Sequence, residues 1–91
     1  MRRSEQECLV FLETEIDFAF TLLRLAGAES NGGKLARAAE LIAKANVTHK
    51  AALKYLGNVR LEPEAKRELQ FNVRKLLEAI RAAERRTFPA A

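Results

Sequence analysis

Tryptophan is absent, and the 91 residues include one cysteine, two prolines, four glycines and one tyrosine. A lone Cys8 can neither close an internal disulfide nor complete a four-ligand zinc site, which makes a reducing, cytoplasmic setting the simpler expectation. No apolar run approaches the roughly 18 residues that a membrane-spanning helix needs. The opening MRRSEQECLV also lacks the apolar stretch of a secretion signal. Without such a signal, the sequon-like Asn46-Val47-Thr48 reads as accidental. Period-two alternation is missing, so no strand competes with helix. One domain with one core fits this length, and the whole chain reads as a single helical domain.

What is present is charge and helical periodicity. Charged residues make up 31% of the chain and hydrophobic ones 48%, with a net charge of +4. The balance is uneven. Residues 1–30 hold three basic against six acidic side chains, residues 31–58 five against one, and residues 59–91 eight against five. An acidic first third facing a basic remainder accounts for part of the basic excess without nucleic acid.

Ser4 and Glu7 have the spacing of a capping box. Apolar residues then recur at Leu9, Leu12, Ile16, Ala19, Leu23 and Ala26, before Gly27 and the run Ser30-Asn31-Gly32-Gly33. This predicts a first helix over about 5–28. Leu35, Ala38, Ile42, Ala45, His49, Ala52 and Leu56 mark a second over about 34–56, ended by Gly57-Asn58, residue types that tolerate a left-handed terminus. Asn46-Val47-Thr48, poor in helix propensity, could split it in two. Glu62-Pro63-Glu64 opens a third helix, about 63–87, with Leu69, Asn72, Leu76, Ile80 and Ala83 on its inner seam. Arg81, Arg85 and Arg86 suit its C-terminal end, and Phe88-Pro89 stops it. Short connections make neighbouring helices antiparallel, so the expected architecture is an all-α, up-down-up three-helix bundle. Residues 1–3 and 88–91 are expected to fray.

Stepping residues by 100° places Glu15 near the middle of helix one's apolar arc, Asn46 and His49 inside that of helix two, and Asn72 on the seam of helix three. Hairpin arithmetic brings all four to about one height, predicting a buried polar layer. Such a layer can fix helix register through internal hydrogen bonds. Alternatively it forms a ligand or metal site, for which Glu15 and His49 supply only two strong ligands. No metal or cofactor is called for by these residues.

Helix one's apolar arc spans about 220°, twice what two neighbouring helices need. Phe11, Phe18, Leu22 and Leu25 form a second row beside the main seam, with Glu15 its one charged member. That row predicts an interface, most simply a two-fold homodimer, with a different protein as the alternative partner. Cys8, at its end, is expected to act as a small hydrophobe.

On the outer face of helix three, Arg67, Arg74, Arg81 and Arg85 fall within about 40° of one another beside Phe71, the geometry a nucleic-acid surface would use. Acids interleave at three-or-four spacing, namely Glu64 with Arg67, Arg74 with Glu78 and Glu40 with Lys44 on helix two, which suits a solvated, salt-bridged face. Asn31-Gly32-Gly33-Lys34 lacks the strand and spacing of a phosphate loop and reads as a turn. A free-standing enzyme is not expected. In outline the Ala-rich three-helix plan resembles microtubule-interacting-and-trafficking domains and single tetratricopeptide hairpins. No signature motif of either is present and no repeat of about 34 residues recurs, so no residue role carries over. The expectation is a non-catalytic helical interaction module that homodimerises through helix one.

Overall fold

A computed structural model describes the backbone of residues 3–89 and the side chains of residues 6–89. It contains three helices, α1 (Arg3–Asn31), α2 (Leu35–Asn58) and α3 (Pro63–Thr87). At about 1.5 Å per residue the 29-residue α1 is some 43 Å long, close to the 46 Å long axis of the molecule. Cys8 and Phe11 lie beside Ala51 and Tyr55, which makes α1 and α2 antiparallel. Phe20 through Asn31 run beside Ala79 through Arg86, which makes α1 and α3 parallel. The bundle is therefore up-down-up, with each helix packed on the other two.

The first helix is longer than its sequence pattern suggests. The backbone of Ser4, the expected cap, already lies inside it. Gly27 is helical and passed over, because glycine permits a helix end without enforcing one. The stop comes at Gly33, the one residue with a positive φ among those described, at +81°. Around it the Gly33 N–H donates to Ser30 O at 3.0 Å and the Lys34 N–H to Glu29 O at 2.8 Å. That pair of bonds is a Schellman motif, which satisfies carbonyls left free at a helix end.

Through Asn46-Val47-Thr48 the second helix runs unbroken. It ends without a left-handed residue at Gly57-Asn58. Instead Val59 turns to extended backbone, its N–H donating to Tyr55 O at 3.1 Å. Glu62 then precedes Pro63 at the first turn of α3, with Glu64 in that turn and Arg85 and Arg86 in the last. The Phe88 N–H closes the end on Glu84 O at 2.7 Å. The fraying expected of residues 1–2 and 90–91 lies outside the described residues. Arg3 is helical.

Every residue of the predicted α1 seam is buried. On α2 the ends of the seam fall away, with Leu35 exposed and Leu56 half-buried. On α3 the buried line is Leu69, Val73, Leu76, Ile80, Ala83 and Thr87. It runs through Val73 where the sequence pattern pointed to Asn72. The largest side chains fully enclosed are Ile16, Leu69, Leu76 and Ile80, so α1 and α3 supply the bulk of the core. Alanines at 19, 26, 38, 45 and 52 show no exposed surface, and their small size lets the helix backbones approach.

Candidate functional site: the exposed row of α1 and the groove between α2 and α3

Helix one presents large apolar side chains to solvent. Phe11 is 66% exposed, Phe18 56% and Leu25 50%. Their seven-residue spacing keeps them on one stripe, drifting only about 20° per step on a straight helix. Leu22, expected on the same stripe, is buried instead. It stands three residues after Ala19 and four before Ala26, both fully buried, so the helix that covers those alanines covers it too. Leu22 thus belongs to the core and not to an interface.

Thr14 and Thr21 stand three residues after Phe11 and Phe18. Their hydroxyls donate back to the carbonyls of Val10 and Asp17, at 2.9 and 3.3 Å. Arg24 Nη2 in turn donates to Thr21 Oγ1 at 3.3 Å. With its hydroxyl protons used inside the helix, this edge of the row makes few demands on water. At the N-terminal end the row meets a cleft of about 480 Å³ between α1 and α2, lined by Cys8, Phe11, Leu12, Ala51 and Tyr55. Cys8 is exposed there, not packed away as a small hydrophobe.

The four residues expected to form a buried polar layer do not form one. His49 alone is buried, while Glu15, Asn46 and Asn72 are only half-buried. No hydrogen bond joins them, and no three His, Cys, Asp or Glu side chains converge among the described residues. The reason is lateral. Equal height along the bundle does not put side chains on the same side of it, and His49 opens onto the seam between α2 and α3, beside Val73 and Gln70. Burial pushes its imidazole below the usual 6.5, and the charge of Arg81 adds to the effect. Both effects favour the neutral ring.

The seam that His49 lines is a groove of about 570 Å³. Leu53, Leu56, Val73 and Leu77 form its apolar wall, and Lys66 and Arg74 stand on the α3 side. Sequence reasoning did not find this groove. Leu53 and Leu77 fall off both predicted seams, and the one signal was an apolar residue at each position on an otherwise polar flank.

Arg67, Arg74, Arg81 and Arg85 are all exposed on α3, and Phe71 beside them is 56% exposed. The expected ion pairs are replaced. Glu78 pairs with Lys75 at 3.7 Å and not with Arg74, and Lys34 pairs with Glu29 at 4.0 Å across the first turn. Glu64–Arg67 and Glu40–Lys44 do not close to ion-pair distance. Lys75 also lies over Phe71, 5.4 Å from the ring centroid, occupying one face of a ring on which a base could stack. No helix is long and apolar enough to cross a membrane among the described residues.

Compared with protein-family models, curated proteins and solved structures, the chain matches none.

Proposed function

We propose that this chain is a non-catalytic helical interaction module that pairs with a second copy of itself through the exposed row of α1. The observation that carries this reading is the alignment of Phe11, Phe18 and Leu25, each at least half exposed, on one helix that already supplies its own share of the core. Full burial of a phenylalanine removes about 150–250 Å², so these three side chains leave a few hundred Å² of apolar surface open. A patch of that size is about the largest a monomer of ordinary surface exposes, and such patches are often functional.

A second copy is the occupant favoured by two features. The seven-residue spacing allows two α1 helices to pack along the row as in a coiled coil. Charge adds to it, because α1 is acidic whereas α2 carries Arg37, Lys44, Lys50 and Lys54 against a single acid, Glu40, so opposite signs are available for contact between copies. A nucleic-acid surface at Arg67, Arg74, Arg81 and Arg85 is the weaker reading, since Lys75 stands over one face of the exposed aromatic it would use.

Sedimentation equilibrium tests the proposal, with interference optics because the chain has no Trp and one Tyr. A mass of twice 10.2 kDa is expected for the native chain. The Phe11→Ser/Phe18→Ser double variant should sediment as a folded monomer. A native chain that remains monomeric up to millimolar concentration overturns the reading.

A further inference from the structure

We propose that the groove between α2 and α3 is a docking site for an acidic amphipathic helix of a partner protein. Three features of the groove argue for it together. Its wall is apolar but open, with Leu53 half exposed on one side and Leu77 half-buried on the other. Its charged lining is of one sign, since Lys66 and Arg74 border it and no acidic side chain does. His49 lies in its wall, 7% exposed, a polar group in the middle of the apolar surface.

Size and shape favour a helix over a small molecule. From Lys66 to Leu77 the groove follows α3 for about 16 Å, or three helical turns. An amphipathic helix of about 11 residues covers that distance, its apolar anchors at i, i+4 and i+7 filling about 10 Å of it, and settles between two helices as a further member of a bundle. Small-ligand sites instead enclose about 70–90% of their ligand, which a groove open along its length does not. Charge selects an acidic helix. Carboxylates flanking the anchors reach Lys66 and Arg74, the two charged side chains of the lining. The imidazole of His49 offers one donor or acceptor to a polar group at the middle of the docked helix.

This site is separate from the α1 row, so each can fail alone. The probe is a fluorescein-labelled synthetic helix of about 14 residues, with leucines at i, i+4 and i+7 and glutamates between them, titrated with the full chain and read by fluorescence anisotropy. Saturable binding is expected, weakened on the order of tenfold by Lys66→Glu/Arg74→Glu and by replacing the probe's glutamates with lysines. Both substituted positions are exposed, and circular dichroism confirms that the variant is folded. The Phe11→Ser/Phe18→Ser variant should bind the probe as the native chain does. Absence of saturation, equal binding of the lysine probe, or full affinity in the charge-reversed variant overturns the proposal. So does loss of binding in the Phe11→Ser/Phe18→Ser variant, which would put the probe on α1. Exclusion of the probe as the native chain self-associates would assign the groove to a second copy and overturn it as well.

Discussion

Lys34 is joined to Glu29 twice, by its backbone N–H on the Glu29 carbonyl at 2.8 Å and by its ammonium 4.0 Å from the Glu29 carboxylate. Both links cross the turn in which Gly33 holds a φ of +81°. The ion pair is exposed on the lysine side and adds little, whereas the backbone geometry fixes where α1 ends and α2 begins. Gly33→Ala should therefore destabilise the fold by about 1 kcal/mol or more, since a Cβ there meets no neighbour and the cost is the backbone conformation alone. Gly27→Ala should do the opposite, stabilising by up to about 1 kcal/mol, because that glycine is helical and its Cβ would enter open space. Urea denaturation of the two variants checks the pair, and the same sign for both would refute it.

Glu15 lies between Phe11 and Phe18 in sequence, is half-buried, and makes no bond to His49. Glu15→Leu then leaves no polar partner stranded, and monomer stability should change by less than about 1 kcal/mol. Self-association should tighten, because two copies would no longer bring carboxylates together on the apolar row. Denaturation at low concentration and sedimentation at high concentration separate the two effects.

Stability should fall as the pH drops below about 6.5. Burial, with Arg81 adding to it, holds His49 below its unfolded value, so between the two values the unfolded chain binds the extra proton. The contribution is complete above 6.5 and is lost as pH falls through the folded value. Subtracting the profile of His49→Gln from that of the native chain removes the carboxylate titrations, and a flat difference between pH 7.5 and 5 would contradict the assignment.

Phe71→Ala should cost about 1 kcal/mol or less, since the ring is exposed and its stacking with Lys75 is a surface contact. Retention of a labelled oligonucleotide should be absent or weak at physiological salt in both native and variant chains. Tight binding that Phe71→Ala weakens, with a steep salt dependence, would show that Lys75 yields the ring to a base.

The helical seams were legible because each residue's place around a helix follows from its number. Leu9 through Ala26 on α1 and Ala38 through Ala52 on α2 keep a spacing of three and four, and burial follows it. At the edges of an arc the same rule gives no answer. Asn72 and Val73 are one step apart, and the choice between them rests on the side from which α1 and α2 approach α3. Leu22 and Phe18 differ in burial for a similar reason, since α1's neighbours reach over one and stop short of the other. The Glu15–Asn46–His49–Asn72 layer failed in the same way, height being a local property and azimuth a tertiary one.

The sequence by itself determined the number of helices, their approximate limits, the acidic character of α1 and the inner faces of all three. These follow from backbone hydrogen bonding, glycine and proline stereochemistry and a period of 3.6 residues, all of which act within a few residues of chain. Only the tertiary structure decided that Leu22 is core while Phe11, Phe18 and Leu25 stay in solvent, that His49 stands alone at a groove, and that Lys75 covers Phe71. Whether an apolar side chain at the margin of a helix face is covered depends on where the other two helices lie, and that position is settled by packing of the whole core.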